Sequence, residues 1–253
     1  QWEKDFTGDQ EYICPGVSGR YFKNVSNKES PNWLQQRLKA IGLRPISALV
    51  DITNYITHDL GRPLHVYDAD KIEGNLKMRY AKENEICLTL DEEKRECTKE
   101  MIVISDDKKL HGIGGIMGGL DSGCSINTKN VFLETALFDA ISVTKTGRQL
   151  KLQSDARYRF ERGIDPSSIE WGVQAATKMI LDLCGGEASK PVQTPILDCK
   201  KYTFDFNTNK IKSLGGVDVP KDNQKTILES LGFDVSEKDN FFNISVSSFR
   251  PDI

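Results

Sequence analysis

Apolar residues recur along this chain with two different periods, and the change of period near residue 74 divides its secondary structure. Ser30-Pro31-Asn32-Trp33 opens a helix in which Trp33, Leu34, Leu38 and Ile41 follow at helical spacing and Gly42 supplies the stop. Ser30 is the expected N-cap and Pro31 the first helical residue. After the break at Arg44-Pro45, the series Ile46, Leu49, Val50, Thr53, Ile56, Thr57 and Leu60 predicts a second helix ending near Gly61-Arg62-Pro63. Asp51, Asn54 and His58 fall off its apolar stripe. Residues 1–29 look irregular, with a strand candidate at Gly19-Arg20-Tyr21-Phe22.

From 74 to 140 the pattern shifts to short alternating or apolar runs separated by turns. Strands are expected at 76–80, 85–90, 101–104 and 130–133. This predicts an α+β fold whose core is a mainly antiparallel sheet, or something barrel-like, with flanking helices. Asp165-Pro166 starts a further helix with Ile169, Val173, Ala176, Ile180 and Leu183 on one face and Gly185-Gly186 as its stop. Residues 187–201, with Pro191 and Pro195, have the character of a linker. A small mixed helical unit with short strands should follow, with strands at 202–206 and 241–246 around a helix at 222–231. The expected domains are therefore 1–195 and 200–253.

One stretch resists both periods. Gly112, Gly114, Gly115, Gly118 and Gly119 lie between a strand-like run and the apolar segment Val131-Phe132-Leu133, which ends on Glu134. Such density means a backbone that bends tightly or touches something closely. A P-loop would need Gly-Lys-Ser/Thr, whereas Gly118-Gly119 is followed by Leu120-Asp121. The dinucleotide fingerprint fails too, because the sixth position from Gly112 is Met117. Two readings stand: structural glycines at a bulge or sheet corner, or the floor of a ligand pocket beside a carboxylate. His65, in the Pro-fixed loop Pro63-Leu64-His65, likewise reads either as a hydrogen-bonded structural histidine or as a polar group able to position water.

Composition narrows the classes. The chain has 253 residues, 34 basic and 37 acidic side chains, and a net charge of −3, which argues against a nucleic-acid coat but allows a local basic patch. That patch is Lys145, Arg148, Lys151, Arg157, Arg159 and Arg162, interleaved with Tyr158 and Phe160. It suits either a solvated face or an anionic partner. Cys14, Cys87, Cys97, Cys124, Cys184 and Cys199 form no CxxC pair, and three histidines are too few for a multi-histidine metal site. Reduced thiols, no membrane span and a cytoplasmic setting are expected. A start on Gln1 and an end on Arg250-Pro251-Asp252-Ile253 suggest a segment of a longer chain.

Read together, Arg44-Pro45-Ile46, Val50-Asp51-Ile52-Thr53-Asn54-Tyr55, Pro63-Leu64-His65, Gly115-Ile116-Met117-Gly118-Gly119 and Tyr158-Arg159-Phe160-Glu161-Arg162-Gly163 resemble the beta subunit of bacterial-type phenylalanine–tRNA ligase. Leu231-Gly232-Phe233 and Arg250-Pro251-Asp252 are similar to the small domain that follows in that family, so the resemblance spans nearly the whole chain. It implies an editing domain that hydrolyses tyrosine mischarged onto phenylalanine tRNA. Carried over, Glu134 would accept a hydrogen bond from the tyrosine hydroxyl, and Gly115 and Gly118 would let the ring approach. Thr53, Asn54, Pro63, His65, Ser154 and Ala156 would line the site, with His65 and Asn54 orienting ester and water. Ser154 stands where the family usually has Thr. The aspartate matching Asp252 belongs to a magnesium site whose other carboxylates would lie beyond Ile253, so no complete site is expected here. Editing itself would need no cofactor, whereas ATP and Mg2+ would serve ligation in the whole enzyme. The implied partners are phenylalanine tRNA and an alpha subunit in an alpha2beta2 assembly. A non-catalytic RNA-binding or subunit-assembly module is the alternative.

Overall fold

Strand Val131–Ala136 carries the main core on both of its faces. Successive side chains in a strand point to opposite sides, and here each side is spoken for. Val131 and Leu133 pack with Leu34, Leu38, Leu49, Ile52, Ile56, Val173 and Ile180 from the helices. Phe132 and Ala136 face the other way and pack with Trp2, Met78, Ile104 and Ile113 from a second sheet. The result is a layer of helices, a sheet, and another sheet. This structure, a computed structural model, describes residues 2–197 and 202–253, and only the backbone of Asp9. Cys199 and the last part of the expected linker lie outside the described residues.

In the first sheet Val131–Ala136 lies between Val17–Lys23 and His65–Asp68, antiparallel to both. The short strands Glu187–Ala188 and Val192–Gln193 pair with Val17–Lys23, so part of the expected linker is sheet. The second sheet runs Trp2–Lys4, Leu76–Tyr80, Ile102–Ser105, Leu110–Ile113, Met117–Gly118. It is antiparallel except for the first pair, where Trp2 aligns with Leu76 in parallel register. The fold is α+β with antiparallel sheets, as its sequence pattern indicates. Among the described residues these are open sheets, and neither closes into a barrel.

The contacts divide the chain between Leu197 and Asp198. The smaller unit is a three-stranded antiparallel sheet with Phe241–Ser245 between Thr203–Asn207 and Asp234–Lys238. Helix Lys221–Ser230 is joined there by Lys210–Gly215. Phe233, Phe242, Ile244 and Val246 form its core.

Local chemistry moves several elements from their expected places. The first helix is Asn32–Ala40, with Pro31 at the cap. Ser30 is not the cap, because its hydroxyl donates to Asp51. Asp51, expected off the apolar stripe of helix Ala48–Asp59, is fully buried and also accepts from the backbone N–H of Ile46. Its two bonds tie the two helices' starts together. Ile46 and Leu60, expected on the stripe, are exposed.

The basic run at 145–162 contains two helices that its charge obscured, Ala140–Gln149 and Asp155–Phe160. Arg157 is buried, donates to the Leu152 carbonyl at 2.6 Å and pairs with Glu161 at 3.1 Å. It lies over Gly147, where an added Cβ would fall 2.2 Å from its Nε. Arg159 pairs with Asp155, and Arg162 sits 3.8 Å from the centre of the Tyr158 ring. Half of the apparent patch is thus engaged within the fold. Arg157→Ala should lower the unfolding free energy by about 3 kcal/mol, because it orphans a buried carbonyl and Glu161. Lys145→Ala, on the exposed face, should stay within about 0.5 kcal/mol. Urea denaturation distinguishes them, and equal effects would contradict the internal role of Arg157.

Candidate functional site

The same alternation that builds the core also delivers an acidic interruption. Glu134 occupies the inward face between Phe132 and Ala136 and is only 6 % exposed. Across the ladder, Glu134 aligns with His65 and Phe132 with Tyr67, which places all four side chains between the two sheets. The Tyr67 hydroxyl donates to Glu134 Oε2. Burial pushes the Glu134 carboxyl up to about 7, resisted by the Tyr67 bond and by the Arg62 charge. Burial, together with Glu134, pushes the Tyr67 phenol well above its ordinary value.

Arg62 supports this arrangement from behind. It is fully buried and donates through Nη2 to the Ala136 carbonyl at 2.5 Å. Burial lowers its pKa to about 9, opposed by Glu134 and then Asp165. Its Nε and Nη1 have no hydrogen-bond partner, and the Phe160 ring lies 5.9 Å away.

His65 stands edge-on to Tyr67, ring centroids 4.5 Å apart. Burial lowers its pKa to about 4, with a smaller contribution from His111, so the imidazole is neutral near pH 7. Its Nε2 is buried without a partner. The opposite neighbour is Gly118, where a Cβ would come within 2.3 Å of Cε1. Gly118 is therefore required by the histidine itself. Gly115, with φ +70°, turns the chain against Val143 and Phe138. His111 faces Asp106 at 2.7 Å with both side chains buried, and Asp106 also accepts from the N–H groups of Glu73, Lys108 and Lys109. That cluster holds the turn leading into strand Leu110–Ile113.

Between the sheets is a cavity of ≈ 80 Å³. Glu134, His65, Pro63, Gly115, Gly118 and Ala156 line it, so six of the expected site residues converge. Its walls are otherwise apolar, from Leu64, Ile104, Ile113, Ile116, Met117, Phe138 and Phe160. Tyr67 also lines it and was not foreseen, although counting by two from His65 along the strand puts it on the same face. Thr53, Asn54 and Ser154 are not among the lining residues. Thr53 turns its hydroxyl back onto the Val50 carbonyl. Ser154 accepts from the N–H of Arg157 and donates to the Ile116 carbonyl at 2.6 Å. It caps the helix that supplies Ala156 and Phe160 and fastens it to the glycine loop. Asp252 is paired with Arg250 through both oxygens at 2.8 and 2.9 Å. Among the described residues no group of three or more His, Cys, Asp or Glu is placed to hold a metal ion. No helix there is long and apolar enough to cross a membrane.

Comparison with known proteins gives this geometry a context. Residues 13–185 match the B3/4 domain family and residues 204–253 the tRNA synthetase B5 domain. The phenylalanine–tRNA ligase beta subunit of Mesorhizobium japonicum is 46 % identical over 241 residues, and that of Ruegeria pomeroyi 48 % over 240. Each alignment covers 95 % of this chain and 30 % of the relative, so the chain spans under a third of their length. An N-terminal fragment of the phenylalanyl-tRNA synthetase beta subunit from Pyrococcus horikoshii aligns with TM-score 0.41 and 14 % identity, covering 100 % of this chain and 70 % of that one.

Glu134 and His65 shift in opposite directions, and their effects on stability oppose each other. Above its ordinary pKa of 4.5 and up to about 7, Glu134 keeps a proton in the folded state that the unfolded chain has lost. Its contribution therefore falls as pH rises through that window. Between about 4 and 6.5 the unfolded chain protonates His65 while the folded protein does not, so that contribution rises with pH. Glu134→Gln should leave stability rising from pH 4.5 to 6.5, and His65→Ala should leave it falling from pH 5 to 7. Denaturation midpoints measured across pH would contradict the site's electrostatics if both variants sloped the same way.

Proposed function

We propose that this chain, which belongs to the B3/4 domain family, is the editing portion of a phenylalanine–tRNA ligase beta subunit and hydrolyses the ester of tyrosine mischarged onto phenylalanine tRNA. The observation that carries this reading is a carboxylate set into a core position of a sheet, opening onto an otherwise apolar cavity. Burying a carboxylate is costly unless something hydrogen-bonds it. A synthetic pocket cannot strongly reject an isostere that merely adds a hydroxyl, whereas a site that hydrogen-bonds that hydroxyl discriminates steeply.

In this reading the ring of the misattached amino acid lies among Ile113, Ile116, Met117 and Phe138, with its phenol directed at Glu134. His65, neutral and with a free Nε2, accepts a hydrogen bond from the attacking water and orients it toward the ester carbon. Gly118 keeps the imidazole in that place, while Gly115, Pro63 and Ala156 shape the wall. Ser154 acts by fixing the helix beneath Ala156. Thr53 and Asn54, on the helix that leads into Pro63, are assigned to the ester and terminal ribose, beyond the ring's cavity. Phenylalanine tRNA and an alpha subunit in an alpha2beta2 assembly are the proposed partners, in a cytoplasmic enzyme. ATP and Mg2+ belong in this scheme to ligation in the whole enzyme, and Asp252 is the residue here assigned to a magnesium site of that enzyme. The domain assignment is an editing domain over 1–195 and a small domain over 200–253.

Deacylation of pre-formed tyrosyl-tRNA and phenylalanyl-tRNA tests the reading. The unmodified chain should favour the tyrosyl ester, and Glu134→Ala should reduce that preference about 10–100-fold, the worth of one hydrogen bond to a buried charge. His65→Ala should slow both esters together. Normal selectivity by Glu134→Ala in the assembled ligase would return this chain to an RNA-binding or assembly role.

A further inference from the structure

Tyr67 has no part in the scheme above, yet it lines the cavity and is bonded to the residue on which selectivity turns. It is 1 % exposed, its ring lies against His65, and its hydroxyl donates to Glu134 Oε2. The bond joins neighbouring strands whose register is fixed by backbone pairing from Val131 to Glu134. Its position is also braced on the far side by His111, 6.4 Å away ring to ring, and by Trp2 at 6.5 Å. A tyrosine so placed cannot swing out of the cavity without disturbing both sheets.

We propose that Tyr67 is a specificity-determining residue of this pocket: it supplies from the protein the same phenolic hydroxyl that a tyrosyl substrate would bring, and so holds Glu134 with one oxygen engaged before any substrate arrives. The inference rests on the editing reading. A substrate hydroxyl then competes for, or adds to, a carboxylate that already has a donor. Discrimination against phenylalanine is consequently softer than an unpartnered carboxylate would give, because a phenylalanyl ring leaves Glu134 still bonded to Tyr67. The second effect is on charge. A donor to the carboxylate favours its ionised form, so Tyr67 acts with Arg62 against the burial that favours the proton.

The groups facing Glu134 come from every element around it. Tyr67 and His65 stand on the adjoining strand, Arg62 on the loop before it with Asp165 beyond, and Cys14 below, whose thiol Glu134 helps to raise. Among the described residues, Tyr67 alone is both a hydrogen-bond partner of Glu134 and a wall of the cavity.

The test uses Tyr67→Phe, which keeps the ring and removes the hydroxyl alone. In the whole chain labelled with carboxyl-13C glutamate, Glu134→Gln identifies the resonance, and its titration should have a midpoint near 7. Tyr67→Phe should raise that midpoint by about one pH unit, a tenfold gain in proton affinity. Deacylation of tyrosyl-tRNA and phenylalanyl-tRNA across pH should then show the inflection in selectivity moving up with it. An unmoved carboxylate midpoint would overturn the proposal, as would a moved midpoint with an unchanged selectivity profile, which would leave Tyr67 a packing residue. If Glu134→Ala leaves selectivity intact while Tyr67→Phe still moves the midpoint, the editing reading fails and the proposal with it. If Glu134→Ala abolishes selectivity and Tyr67→Phe does nothing, the editing reading stands and only the role of Tyr67 falls.

Discussion

A carboxylate at a core position of a buried sheet is the constraint around which the main unit is arranged. Glu134 takes a place where the alternation along its strand calls for an apolar side chain, between Phe132 and Ala136. Left alone there it would cost several kcal/mol. The fold answers with a donor on the next strand and a cation behind the loop, and both helpers are drawn away from their own ordinary chemistry. The Tyr67 phenol becomes harder to ionise, and burial brings Arg62 down to about 9. Three groups thus share the burden of one buried charge. Such an arrangement adds little to stability, which is the physical reason to look for its value in the cavity it lines.

The glycines follow from the same geometry. A strand pair with His65 on its inner face needs a neighbouring sheet that can lie flat against an imidazole, and Gly118 provides that approach. Gly119 meets the backbone of His111, and Gly112 meets Met117 and Gly118, so a side chain at either would push the turn apart. Packing inside the protein accounts for most of this density, while Gly112, Gly115 and Gly118 also form part of the cavity wall. The two readings of the glycine stretch are therefore two descriptions of one surface. A wall without side chains is what lets the sheets approach closely and still leaves room between them.

Much of the fold was legible because period and punctuation agree. Ile169, Val173, Ala176 and Ile180 are buried on one face of helix Ser168–Cys184, which ends at Gly185 with φ +65°, as the pattern indicated. The glycine stretch and the basic run were harder for different reasons. Strand Leu110–Ile113 is buried at every position, so it lacks alternation and its glycine hides it. Helices Ala140–Gln149 and Asp155–Phe160 were masked by charges, because Arg157 turns inward over Gly147 and no local signal marks an arginine as buried. At the site, the convergence of Glu134 and His65 was written in a resemblance, whereas Tyr67 needed only the period of two. What no sequence pattern could supply is the pairing register that sets Tyr67 beside Glu134.

Cavity chemistry is the last consequence. Burial drives His65 and Glu134 alike toward their neutral forms, one by losing a proton and the other by keeping it. A space lined mainly by isoleucine, methionine and phenylalanine around two such groups disfavours a charged guest and suits an uncharged ring with a single hydroxyl. The amino group of an aminoacyl ester would have to remain outside, toward the mouth. Under the proposed function, the ring would be what the cavity measures, and the ester would be presented to His65 as a result of how deeply the ring can enter. The proposed selectivity and water placement would then depend on the same pair of strands, since His65 and Glu134 stand opposite each other in register. A shift of one residue in that register would turn both side chains away from the cavity together.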